Sequence, residues 1–562
     1  MKAPNGNFSK KGGTRPPSPR KANSRGSSSA VGRFAPSGLP SLFPRLIEMI
    51  RQMKQAPLLF LLFFLFLLFP LFFPTNLWAI GGNGLSGLTL LPAPASPFVC
   101  IRVVTRSGAI DDPKGKEGLA WLTAQVVSAG GSRARTRQEV LRKIYPMAAS
   151  FYGHCDKEIT SYVGVVHRDK LDEFYALFSE ILLHPRFDTS DVSRERDNGI
   201  NYLKNNLRAT NDEELGKQVL DQEIHRNHPY GHATPGTING LQAISITDIQ
   251  KFHVKSMEAG RVSIGIAGNY PADFPERLKK DFNLIADANF KPSALPPREP
   301  ISNLQVTLVS KPCDAAAISI GFPVDITRAD KDFFPLLVAD AFFGDHRTFV
   351  GRLQKNMRVA RGLNYGNYSY IEHFIQGVGR FAAPGIPRRA QEFSIWIRPV
   401  KPEHAHFALR QAIRELKLLV EKGMTDPEVR EYKQYVLCNY PLWAQTLDRR
   451  LGYLIDSKFY GLDDFLKEIE NQVSRLRTAD VNNAIKRHLQ WKNLQAVIVT
   501  DHAEALEKAI SQNATSPITY GKTTISPALE AEDKEIMAFP LEINPDRIRI
   551  VPASSLFETA EP

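Results

Sequence analysis

Three patterns recur along this chain in the same order and at nearly the same displacement, and a chain that repeats itself in this way is constrained to fold as two like units in tandem. Residues 187–192, a helix start with Asp188 and Asp191, return as residues 424–429 with Asp426 and Glu428. Residues 246–249 return as 478–481, and the apolar strand pattern of 262–267 returns as 494–499. The displacements are 237, 232 and 232. A Pro-rich stretch at 291–300 separates the copies, and Pro-rich sequence suits a semi-rigid connection better than a core element. The division expected is therefore 80–290 for the first unit, 291–300 for the linker, 301–515 for the second unit and 516–562 for a C-terminal tail lying on the surface, with 539–551 as its possible final strand.

Within each copy, β-branched and apolar residues alternate over 98–106, 159–166, 316–322 and 393–397, the period of strands. Apolar residues spaced for one helical face occupy 170–183, 403–421 and 427–437. Strands interleaved with long helices predict an α+β chain made of two homologous layered α/β domains.

The region ahead of the first unit, 1–79, has a different composition. Before Ala56 it holds eleven Lys and Arg against the single acid Glu48, so ten of the chain's twelve net positive charges lie there. The rest of the chain is nearly neutral and offers no broad basic field for nucleic acid. Residues 58–73 are an uncharged Leu and Phe run broken by Pro70. Its length is that of a signal-peptide core and short for a membrane span of about 20 residues. A start at Met53 would place Lys54 just ahead of it, and small Ala79 supplies a cleavage point; the alternative is a basic tail with an uncleaved anchor through 56–74. Both readings imply an exported body, periplasmic in a bacterium or held at the inner membrane facing the periplasm. A mitochondrial presequence is disfavoured, because a solid Leu and Phe block is not amphipathic. Cys100, Cys155, Cys313 and Cys438 are widely spaced, form no metal or redox motif, and are expected as buried free thiols.

The segment from Thr105 through Gly108, Asp111, Asp112, Gly115 and Glu117 to Gly118-Leu119-Ala120 closely resembles the pitrilysin/insulinase family of zinc metallopeptidases, and the likeness extends over about 85–515, including His228-Pro229-Tyr230-Gly231. Family members continue from Gly-Leu-Ala with H-x-x-E-H, whose His residues at i and i+4 bind zinc from one helical face while the Glu serves as base. Here those positions are Trp121, Ala124 and Gln125, and the family's third ligand, a distant Glu, falls at Tyr202. Indole, methyl, carboxamide and phenol provide neither a zinc coordination set nor a base. The resemblance thus implies the family's tandem fold with no catalytic residue in cis, no metal and no cofactor bound by this chain. It also predicts that Trp121 and Tyr202 fill the vacated site together and that Ala124 faces the same space.

Arg358 and Tyr365, in the run from Leu353 to Tyr365, are similar to the family's second-half pattern in which an Arg and a Tyr donate to substrate. A guanidinium and a phenol both donate hydrogen bonds, and such donors matter most where charge develops on a carbonyl oxygen. The alternatives are that Arg358 is a plain surface residue with Tyr365 in a core, and that Arg361 is the arginine in question. In exported bacterial branches of the family a zinc-bearing chain pairs with one that carries the Arg and Tyr, and this sequence resembles the second kind. It is therefore expected to bind peptide and to supply Arg358 and Tyr365 to a zinc-bearing paralogue; the rival reading is an inactive structural scaffold, and a third is a hydrolase with a displaced metal site. His225, His228 and His232 surround a turn and are not expected to converge on a metal, nor are His404 and His406 at i and i+2 of a helix. Gly377-Val378-Gly379 lacks the Lys and Ser or Thr of a phosphate loop.

Overall fold

Strands form where the alternating runs predict them, and they assemble into two sheets of the same plan. In the computed structural model, which describes residues 87–258, 260–284, 292, 294–375, 379–521 and 524–560, the first sheet contains β1 (Leu88–Pro92), β2 (Phe98–Thr105), β3 (Ser150–Cys155), β4 (Thr160–His167) and β5 (Val262–Gly268), ordered β1-β5-β2-β4-β3. The β1/β5 pair is parallel and the others antiparallel. The second sheet contains β6 (Gln305–Ser310), β7 (Ala316–Val324), β8 (Asn367–Tyr370), β9 (Gln391–Val400) and β10 (Gln495–Thr500), ordered β6-β10-β7-β9-β8 with β6 parallel to β10. These five strands repeat the first sheet's order with a parallel pair in the same place, which makes the sequence repeat a repeat of topology. The leader 1–79, the apolar segment 56–74, and Gly377 and Val378 lie outside the described residues.

Each sheet is covered partly by a helix from the other half. The helices that matter for the site are α1 (Leu119–Ala129), α2 (Thr189–Asn201), α3 (Asp212–Ile224), α4 (Ala405–Lys422), α5 (Leu447–Phe459) and α6 (Pro527–Met537). α3 starts where the Asn211 side chain accepts from the Glu214 amide and three acids occupy the first turn, which favours a helix N-terminus there. It belongs to the first half but packs on the second sheet: a β-carbon on Gly216 would lie 3.6 Å from Val499, and one on Gly321 of β7 would lie 3.1 Å from Ile224. Reciprocally, α5 of the second half buries Leu451 and Ile455 on the first sheet with Cys100, Val104, Val163 and Ala267. A β-carbon on Gly265 would stand 2.7 Å from Ile455, so β5 and α5 approach as closely as only glycine permits. Burying a Leu or Ile contributes about 1.5–3 kcal/mol, and here that burial ties the halves to each other. Residues 83–562 accordingly form one unit.

The tail is built into the fold instead of merely lining its surface. β11 (Ile548–Pro552) adds to the second sheet as a parallel neighbour of β6, and Ile536 on α6, Leu556 and Phe557 are buried. The chain then returns to the first half, where Ile238 N donates to Phe557 O at 2.8 Å and Arg208 pairs with Glu558 at 2.7 Å. The polar composition hid a few well-spaced apolar residues that have a core to enter. The four cysteines are free, but only Cys100 and Cys155 are buried; Cys313 is half-buried and Cys438 exposed. Among the described residues no helix is long and apolar enough to cross a membrane.

Candidate functional site

α1 begins where Asp112 accepts from the amides of Gly118 and Ala120, both at 2.7 Å. Gly118 has φ of 105°, a left-handed conformation, and a β-carbon there would meet Pro235 O at 2.5 Å, so glycine is required at this entry. From that start the helical period turns Leu122, Thr123, Val126 and Val127 into the core and leaves Trp121 and Gln125 half-buried on another face. Both line an open cavity of about 790 Å³ between the two halves, as do Tyr202 from the first half and Arg388, Glu392 and Trp396 from the second.

The expectation about the vacated positions needs two corrections. Ala124 is fully buried and does not line the cavity: it belongs to a core cluster shared with Leu119, Leu203 and Leu241, and a methyl has little reach beyond it. Tyr202 lines the same cavity as Trp121 but is 41 % exposed, so the phenol edges the space without filling it. Burial and Glu214 push the Tyr202 hydroxyl pKa upward. The indole of Trp121 instead lies against α2, where Gly199 leaves room for it. Tyr202 opens a π-helical stretch, Tyr202–Ala209, and Arg358 lies in a second one, Gln354–Val359; such stretches recur at functional positions.

The cavity wall is charged and mostly self-neutralised. Arg388 of the second half holds Asp156 of the first by two hydrogen bonds of 2.8 Å, both side chains buried. Burial alone would raise the Asp156 carboxyl, but Arg388 more than offsets it and holds it at about 2. Lys217 pairs with Glu214 at 2.7 Å and lies 3.5 Å over the ring of Trp396; its burial lowers the ammonium pKa. Arg398 pairs with Glu213 through two bonds of 3.0 and 3.1 Å.

Arg358 and Tyr365 do come together, outside the cavity lining. The Arg358 guanidinium lies 4.4 Å over the Tyr365 ring and 4.9 Å over that of Phe349. Tyr365 is 59 % exposed, which sets aside the alternative of a core tyrosine. The link to the cavity is Arg398, which lines it and lies 5.5 Å from the centre of the Tyr365 ring. Arg361 is no rival to Arg358: it is buried and bound to Asp533 and Glu532 of α6, each at 2.7 Å.

The histidine groups do not converge, but one joins a cluster that the sequence hid. His228 accepts from the Tyr230 amide at 3.2 Å, and His232 bonds to the carbonyls of Ala233 and Ala109. His404 reaches Thr519, and His406 is buried on α4. His225, at the end of α3, has Asp221 one turn behind it and Glu392 of β9 facing both. The spacing of Asp221 and His225 on one helical face was readable; Glu392, from the other half, was not.

The comparisons agree with this geometry. The family described as Insulinase (Peptidase family M16) matches residues 89–237, and that described as Peptidase M16 inactive domain matches 243–436. The "Non-peptidase homolog YmxG" of Helicobacter pylori is 23 % identical over 416 residues, spanning 72 % of this chain and 89 % of its own length. The mitochondrial-processing peptidase subunit beta of Caenorhabditis elegans is 25 % identical over 55 % of this chain and 69 % of its own. Among solved structures, the peptidase M16 inactive domain from Pseudomonas fluorescens superposes with a TM-score of 0.65 at 19 % identity, covering 73 % of this chain and 94 % of that one.

Proposed function

This chain belongs to the insulinase family, peptidase family M16, and from that premise we propose that it is the member of a heteromeric peptidase that lacks the catalytic zinc site, holding peptide and lending Arg358 and Tyr365 to a partner that carries the catalytic zinc. The observation that carries the reading is an asymmetry. Trp121, Ala124, Gln125 and Tyr202 occupy the family's ligand and base positions with groups that neither bind zinc nor take a proton at neutral pH, while Arg358 and Tyr365 remain stacked at 4.4 Å. Loss of the zinc machinery alone would not select for that pair. One similar protein is by name a non-peptidase homolog and another is by name a subunit of a peptidase, which supports a role beside a catalytic chain.

In this reading the guanidinium and phenol donate to the carbonyl oxygen of a peptide held between the two chains, where charge develops as the bond is attacked. The zinc and the base come from the partner. The leader and apolar run support export of the body, periplasmic in a bacterium.

Capture with a tagged chain, followed by peptide-hydrolysis assay of the captured complex, tests the reading: a zinc-bearing relative should co-purify, and the complex should cleave where the lone chain does not. A scaffold without substrate contact is the second reading, and the exposure of Tyr365 away from the cavity lining favours it. It takes the lead if complexes carrying Arg358→Ala or Tyr365→Phe cleave like wild type.

A further inference from the structure

We propose that Asp221, His225 and Glu392 form a binding site for a divalent first-row metal ion, zinc being the commonest such ion for this donor set, at a place distinct from the family's zinc position. A carboxylate oxygen from each acid and a ring nitrogen of His225 lie within 4.8 Å of one another. All three residues are buried, His225 at 1 % and Glu392 at 2 % exposure. A His nitrogen with two carboxylates is a donor set that suits zinc and its first-row neighbours.

The second observation is that two of these three residues offer donors without other work. Among the described residues the Glu392 carboxyl makes no hydrogen bond or ion pair, with its Oε2 buried and unpartnered, and Nε2 of His225 is likewise buried and unpartnered. Leaving such groups unsatisfied costs about 1–3 kcal/mol each, more for a charged one. The helix sets His225 by two contacts to Asp221, at 2.9 Å from Nδ1 to its carbonyl oxygen and 3.3 Å to its Oδ1. Among the cations of this wall, Lys217, Lys157, Arg388 and Arg398 each have a counter-charge, that of Arg398 being Glu213. Arg388 is neutralised by Asp156 at 2.8 Å, and Lys217 by Glu214. Lys157 takes Asp221 Oδ2 at 3.1 Å together with carbonyl oxygens of Tyr230 and His232. That leaves the Glu392 carboxyl, while Asp221 Oδ1, 3.8 Å from Arg388 and 3.3 Å from His225 Nδ1, makes no hydrogen bond that an ion would have to break. Tetrahedral zinc holds ligand atoms about 3.4 Å apart, so closing the triad needs movements of about 1 Å.

Asp221 and Glu392 also line the cavity, so the ion would be reachable and would keep a position open to it. Because Asp221 and His225 come from α3 and Glu392 from β9, the ion would join the two halves. The inference does not depend on a partner chain or on Arg358 and Tyr365.

The test is titration of the purified full chain with Co²⁺, read by its visible absorption, and with Zn²⁺, read by metal content after dialysis and by thermal unfolding. One equivalent should bind and raise the unfolding temperature. Glu392→Gln keeps the shape of the side chain, and it and His225→Ala should each weaken binding more than about 10-fold, the least that loss even of an outer-shell partner costs. Gln125→Ala, at the family's ligand position, should leave binding unchanged. Failure of the folded wild type to bind either ion, or unaltered binding by folded Glu392→Gln, would overturn the proposal.

Discussion

The indole of Trp121 occupies the space that a β-carbon on Gly199 would need: such a carbon would stand 2.7 Å from Cζ3 and 3.0 Å from Cη2 of the ring. An indole at the position where the family resemblance places an imidazole is thus accommodated by a residue with no side chain on the facing helix. The two positions are coupled through volume.

Gly199→Ala should therefore destabilise the chain by about 1–3 kcal/mol, even though alanine favours a helix, because the overpacking outweighs the propensity gain of about 1 kcal/mol. In Trp121→Ala the same substitution should become neutral or stabilising. Denaturant titration of the double-mutant cycle reads the coupling, and additive effects would show that the ring simply swings aside.

Arg388→Ala should cost about 3–5 kcal/mol, since it strands the Asp156 carboxylate in a buried site. Replacing both partners together, as Arg388→Met with Asp156→Leu, should cost much less, because apolar groups need no counter-charge. Urea unfolding curves of the two variants separate the outcomes.

Asp456 predicts a pH dependence. Burial raises its carboxyl to about 6 against the opposing influence of Arg328 and of the Gly385 amide, which donates to it at 2.8 Å. The unfolded chain releases this proton near pH 4 and the folded chain holds it to about 6, so the contribution to stability is greatest below pH 4, falls between 4 and 6, and is flat above. Asp456→Asn keeps an oxygen for the amide and removes the titration, so it should stabilise the protein at pH 7 by up to about 3 kcal/mol and flatten that window. Unfolding free energies measured from pH 3.5 to 7.5 check the sign.

The two neighbouring arginines should part company. Arg361→Ala should loosen α6 and cost about 3–5 kcal/mol, as it leaves buried Asp533 without its cation. Arg358→Ala and Tyr365→Phe, in an exposed stack, should change stability by less than about 1 kcal/mol. If the pair donates to substrate, these two should lower turnover of a zinc-bearing complex by about 100-fold or more while Arg358→Lys rescues poorly. Hydrogen exchange over 527–537 together with turnover of the complex reads both.

Much of the architecture was legible because it depends on neighbours in sequence. The period of the apolar residues placed β2, β4, β7, β9 and β10 nearly to their ends, and it put Trp121 and Gln125 on one helical face. The same logic overreached at Ala124, where a side chain's reach matters as much as its direction. The tail's final strand, expected within 539–551, is β11 at 548–552, but its place on the surface was misread because composition averages over a segment, whereas Ile536 and Phe557 need only single sites in the core.

By itself the sequence determined that two like units follow one another, because periodicity and repetition are local, and that the family's zinc chemistry is lost, because residue type alone decides whether an atom can bind zinc or take a proton. Tertiary structure decided everything set by partners far along the chain. It chose Arg361 for α6, 171 and 172 residues away, and left Arg358 to Tyr365. It crossed α3 and α5 between the sheets, and it brought Glu392 to Asp221 and His225. Those outcomes follow from which surfaces meet when two units bury their apolar faces against each other, and that is a property of shape with no signature in the spacing of residues.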